Sequence, residues 1–213
     1  MERISFLNKN LKKDKLLKLL SDNKTFVILS AILLFGVFLG AISSGLADKN
    51  TIARINALFL NSFKVRESEL AFNIFVSSLS SVFFFVLIAF FMGLSLWGCV
   101  LAPVVPLVRG FCIGLFQSYL YGTYGLRGIC FQLLVLLPGF FLSSIAILLM
   151  SREAMRLSHN FLTFVFFKSS NTYDKKEDIR IYLLRTGCVL IIAVLSAILD
   201  LIFNFIFLRF FSF

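Results

Sequence analysis

The sequence predicts an all-α, polytopic transmembrane bundle of about five spans. Three observations carry this expectation. The 213-residue chain is 59% hydrophobic and 15% charged, where a soluble domain carries about 25% charge. Its mean hydropathy is +0.94. The charges are also segregated. Uncharged runs cover residues 25–47, 70–108, 110–126 and 128–151, and about 20 apolar residues suffice to cross the hydrocarbon as a helix.

The first 24 residues form a basic tail with Arg3, Lys9, Lys12, Lys13, Lys15, Lys18 and Lys24. Ile4, Leu7, Leu11, Leu16, Leu17 and Leu20 are interleaved with these cations. That pattern suits either a helix lying on the inner leaflet or a solvated tail. The first span covers 25–47. It is longer than the apolar region of a cleaved signal and follows a longer charged segment, so it is read as retained. An outward loop follows to about residue 71, with Asp48, Glu67 and Glu69 as its acids.

The run 70–108 decides the architecture. As one helix its 39 residues would be about 58 Å long, against a hydrocarbon core of about 30 Å. It must fold back, and the break belongs where helix continuation is worst, at Gly98, Pro103 and Pro106, because proline lacks an N–H and crowds the preceding turn. Spans two and three are therefore placed at 72–96 and 101–121. The sequence Gly122-Thr123-Tyr124-Gly125 turns the chain into span four at 128–150. A polar segment at 151–181 reads as a cytoplasmic loop, with 161–167 too short to cross. Span five covers 182–208, and 209–213 is a short end. The membrane domain as a whole is 25–208.

Lysine and arginine set the orientation. With the N-terminus inside, the tail, the loop residues Arg152, Arg156, Lys168, Lys175, Lys176 and Arg180, and the span residues Arg109 and Arg185 put fifteen cations on the cytoplasmic side. Six remain outside: Lys49, Arg54, Lys64, Arg66, Arg127 and Arg209. The asymmetry follows the positive-inside rule and places the C-terminus outside. It also accounts for the net charge of +10 through the anionic inner leaflet rather than nucleic acid.

Small residues recur every fourth position as Gly36, Gly40 and Ser44 in span one, and as Gly110, Gly114, Ser118 and Gly122 in span three. Such spacing allows close backbone approach, which predicts a packing seam, within the protein or with a partner. Asn73, Ser77, Ser78, Ser80 and Ser81 in span two are read as interhelical hydrogen-bonding groups. Asp200 stands fifteen residues after Arg185, about 22 Å further along a helix. It therefore lies in the outer half of the membrane, where a carboxylate needs a partner. Arg127 is the expected partner in a structural contact, and the rival reading of Asp200 is a proton or ion relay.

Cys99, Cys112, Cys130 and Cys188 form no C-x-x-C, and His159 is the only histidine, so neither a disulfide framework nor a metal or cofactor site is expected. There is no nucleophile elbow, zinc-protease motif or phosphate-cradling loop, and an enzyme is not expected.

Several segments resemble the stage II sporulation protein M family. They are FVILSAILLFGVFLGAISSGL at 26–46, F-x-G-L-S-x-x-G from Phe91 to Gly98, R-G-F-x-x-G from Arg109 to Gly114, Y-G-x-x-G from Tyr124 to Gly128, and L-L-P from Leu136 to Pro138. They occur in the family's order across most of the chain. One departure stands out: Gly139 and Phe140 occupy positions where the resemblance would place a polar pair. The resemblance implies a bacterial membrane scaffold for engulfment during endospore formation. Its implied partners are peptidoglycan-degrading enzymes, the stage II sporulation proteins D and P. The rival reading of the residues themselves is a permease component, since Gly- and Pro-interrupted helices can line a solute path.

Overall fold

A computed structural model describes residues 23–45, 71–167 and 175–207. The expected basic tail, most of the outward loop and the C-terminal end lie outside the described residues. Among those described, every regular element is helical. The elements are α1 (Lys24–Gly45), α2 (Ala71–Leu94), the single turn α3 (Gly98–Leu101), α4 (Val104–Phe131), a π-turn (Gln132–Leu136), α5 (Leu137–Phe167) and α6 (Lys175–Phe207).

Four helical segments are long and apolar enough to cross a membrane: Lys24–Gly45, Phe72–Leu94, Gly98–Val165 and Glu177–Phe207. The third is 68 residues long and is not straight. Gly125 has φ +54° and ψ −132°, in a region that excludes side chains bearing a Cβ. Across it the chain doubles back, so that Gly128 lies against the Leu120 carbonyl. Tyr119, Leu120, Phe131 and Val135 close one apolar cluster.

The fold is apolar outside and polar inside. Phe38, Phe72, Leu126 and Phe141 face outward, whereas Arg109, Gln132, Ser143, Ser196, Asp200 and Asn204 are buried. Water would reward the opposite arrangement, and lipid rewards this one. Some serine and threonine hydroxyls within the helices are satisfied locally, whereas Ser151 Oγ is buried without a partner among the described residues. Ser30 donates to the Phe26 carbonyl at 2.9 Å and Thr186 to that of Tyr182 at 2.9 Å, the back-bonding that such residues use within helices.

The closest approach of backbones is between α1 and α4. Gly110 abuts the Leu33 carbonyl, Gly114 that of Val37, Gly36 that of Leu107, and Gly40 that of Phe111. A Cβ on any of the four would overlap main-chain atoms that cannot move aside. Residue numbers rise together along both helices, so the pair is parallel. The expected seam is therefore internal to the chain, and it is shorter than its sequence pattern. Ser118 is half-buried, and a Cβ on Gly122 would meet nothing within 4 Å.

The remaining helices pack through an apolar core of Val82, Val86, Ala89, Val105, Ala146, Ile147, Met150, Val189 and Ala193. Here α6 runs antiparallel to α2 and α5: Tyr182 donates to the Phe90 carbonyl at 3.0 Å, and Arg185 meets Glu153 at 2.5 Å. The segment after Met150, read from its charges as a loop, is helical to Phe167. Met150, Ala154, Leu157 and Ser158 continue the buried stripe of α5 at helical spacing.

Between α2 and α4 the chain turns at Ser95–Trp97, makes α3, and turns again at Ala102 and Pro103. Gly98 packs on the Met92 carbonyl. Pro103 caps α4 with φ −64°, and Pro106 sits in the first turn of α4, where no intrahelical partner for its missing N–H exists. Ser158 of α5 secures this passage. Its Oγ accepts from the Cys99 N–H at 2.8 Å and donates toward the Ser95 and Leu96 carbonyls at 2.9 and 3.1 Å, groups that a helix end leaves without partners.

Gly110→Ala is expected to destabilise the protein by about 1–3 kcal/mol through overpacking. Gly187→Ala, which meets nothing within 4 Å, should be neutral or slightly stabilising. Thermal unfolding of both variants in detergent checks the contrast.

Candidate functional site: a buried charge cluster

The densest polar chemistry lies where α2, α4, α5 and α6 converge. Arg109 of α4 is the centre and is 7% exposed. Its Nη1 donates to Ser81 Oγ on α2 at 3.3 Å, and its Nη2 to Ser143 Oγ on α5 at 3.2 Å. Ser143 passes the bond on, donating to the Phe140 carbonyl at 2.9 Å. The guanidinium also lies 5.3 Å from the Phe85 ring centroid and 5.6 Å from that of Phe140, within cation–π range.

Asp200 supplies the opposite charge. It is 5% exposed, accepts a hydrogen bond from Ser78 Oγ on α2, and acts electrostatically on Arg109. Gly139 makes room for it, since a Cβ there would be 2.9 Å from the Asp200 Cβ. One turn earlier, Ser196 donates to the Gly139 carbonyl at 2.9 Å. Gly139 and Phe140, the two positions that depart from the family resemblance, are thus both contacts of the charge pair.

Local irregularity sets this geometry. Pro138 offers no N–H to the carbonyl of Leu134 and crowds it, and the π-turn Gln132–Leu136 lies immediately before it, the displacement expected of a proline inside a helix. Gln132, the first residue of this turn, faces the interior at 1% exposure. Its amide oxygen and nitrogen find no partner among the described residues, and neither does Asn204 Oδ1.

No family model matches the chain, and no curated protein or solved structure matches it. The family reading therefore stands on the sequence motifs.

The expected Asp200–Arg127 contact is corrected. Arg127 is exposed beside the Gly125 turn, while Asp200 points into the bundle toward Ser78 and the field of Arg109. Arg109 is corrected as well. Counted from sequence among cytoplasmic charges, it is buried and bonded to Ser143, nine residues before Arg152 and so about 13 Å along α5 from that residue. Its signal was present as the lone charge between uncharged runs of 39 and 17 residues. Ser78 and Ser81 make the interhelical bonds expected of the span-two serines.

Among the described residues no group of three or more His, Cys, Asp or Glu side chains is gathered for a metal. What the cluster does is tie four helices together. Removing one member of a buried hydrogen-bonded cluster leaves its partners unsatisfied, at about 1–3 kcal/mol, so Arg109→Ala and Asp200→Ala should each destabilise by that order. The double variant should cost less than the sum by at least about 1 kcal/mol. Arg127→Ala with Asp200→Ala should instead be additive within about 0.5 kcal/mol. Unfolding by SDS titration in bicelles measures both cycles.

Proposed function

We propose that the chain is a multi-pass scaffold of the bacterial cell membrane resembling stage II sporulation protein M. In this reading it holds peptidoglycan-degrading enzymes, the stage II sporulation proteins D and P, at the septal and engulfing membrane during endospore formation. The observation that carries the proposal is the expenditure of buried polar groups on ties between helices. Arg109, Asp200, Ser78, Ser81, Ser143 and Ser196 bind one another or neighbouring main chain, as suits a rigid platform. The order of motifs supplies the specific family.

The scaffold crosses the bilayer five times, with the N-terminus cytoplasmic and the C-terminus outside. Parallel α1 and α4 require a returning crossing between them, and α2 supplies it. The Gly98–Pro106 passage then acts as the joint between the second and third crossings. The reversal at Gly125 divides the 68-residue helical segment into the third and fourth crossings, and antiparallel α6 is the fifth. The bulk of lysine and arginine then faces the cytoplasm.

Two measurements test this. Fusions of a periplasmically active phosphatase should be inactive at the N-terminus and active at the C-terminus; equal activity at both ends overturns the five crossings. Affinity capture of the tagged chain from sporulating cells should enrich wall hydrolases at least about tenfold over an unrelated multi-pass protein, and no enrichment overturns the scaffold role.

A further inference from the structure

A second polar feature lies at the opposite end of α5 from the hairpin. Arg152, Arg156 and His159 follow at spacings of four and three, which brings them to one face of the helix. Together with Thr25 of α1 and Asn160 they line a recess of about 380 Å³. Met155 forms an apolar part of its wall.

Among the described residues no carboxylate lines this recess, although Arg156 also borders an adjoining recess lined by Glu153 and Asp178. The nearby acids are engaged elsewhere. Glu153 is paired with Arg185, and Asp178 accepts from Asn160 Nδ2 at 3.2 Å. Arg152 and Arg156 have no carboxylate partner among the described residues. Two guanidinium groups one turn apart repel each other, and an anion between them relieves that repulsion through the charge-assisted bonds that arginine makes to phosphate.

Depth identifies the anion. Arg152 is about 13 Å along α5 from Ser143, at the start of the charged stretch that follows the uncharged run 128–151. Trp97, 72% exposed, lies in the turn that Ser158 binds, and tryptophan favours the headgroup level. Thr25 lies in the first turn of α1 (Lys24–Gly45), the end of a helix that favours negative charge. The abundant phosphate at this level belongs to lipid.

We propose that the recess between α1 and α5 is a binding site for the phosphate of an anionic phospholipid of the inner leaflet, held by Arg152 and Arg156 with His159 and Thr25 as further hydrogen-bonding groups. The site fastens the scaffold to the anionic leaflet at a fixed depth. It rests on the multi-pass reading but not on the sporulation role, and lipid binding can fail while hydrolase capture succeeds.

The test is native mass spectrometry of the detergent-solubilised full chain titrated with phosphatidylglycerol or phosphatidylcholine, with and without inorganic phosphate. Wild type should retain phosphatidylglycerol over phosphatidylcholine. Arg152→Gln with Arg156→Gln should weaken that retention roughly thirtyfold, the effect of two interfacial cations. Arg127→Gln with Arg180→Gln, an equal loss of charge elsewhere, should leave it unchanged. Equal retention of the two lipids by wild type overturns the proposal without reference to any variant. So does equal loss in both double variants, which would mean diffuse charge attraction. Saturation by millimolar inorganic phosphate with no preference for the anionic lipid also overturns it, as the site would then take free phosphate.

Discussion

A guanidinium buried inside an apolar bundle must be given partners by the protein, because lipid offers none. That requirement organises the centre of this molecule. Arg109 takes Ser81 from α2, Ser143 from α5 and the field of Asp200 from α6, and two aromatic rings cover its faces. Each partner sits where its helix would otherwise need only an apolar residue. The cluster therefore helps to fix register and rotation among four helices, together with the Tyr182–Phe90, Arg185–Glu153 and Asn160–Asp178 contacts, a role for which buried polar groups are best attested.

The glycine seam solves a different problem. Helices in lipid gain no hydrophobic drive from associating, so close van der Waals packing must replace it. Between α1 and α4 the backbones touch at Gly36, Gly40, Gly110 and Gly114. The two devices meet in one helix, where Arg109 and Gly110 are adjacent residues on α4. One neighbour enters the charge cluster while the other presses on α1, so α4 is held from both sides.

Much of this was legible in the sequence, for physical reasons that can be named. Charge-free runs reveal apolar helices, and Gly125 and Pro103 mark places where a helix cannot continue unchanged. A spacing of four announced the seam, although it could not say which helix would fill it. Other features were hidden. The polar residues Arg152, Glu153, Arg156 and His159 suggested a loop, yet Ala154, Leu157 and Ser158 between them continue the buried face of α5. The partner of Asp200 was misassigned because rise along a helix gives depth but not the direction a side chain faces. Ser158 was unreadable as a tie for the α2–α4 passage, since its partners are main-chain atoms some sixty residues earlier.

The account turns on the Arg109 cluster being dry and closed rather than part of a solute path. In a cysteine-free background, Ser143→Cys places a thiol beside the guanidinium, and Arg152→Cys places one at the rim. Treated in intact membranes with a small, impermeant thiosulfonate, the rim cysteine should be modified from the cytoplasmic side. The Ser143→Cys thiol should stay unmodified from both sides until the protein is denatured. Rapid modification of that interior thiol in the native protein would mean that water reaches the cluster and would contradict the clamp.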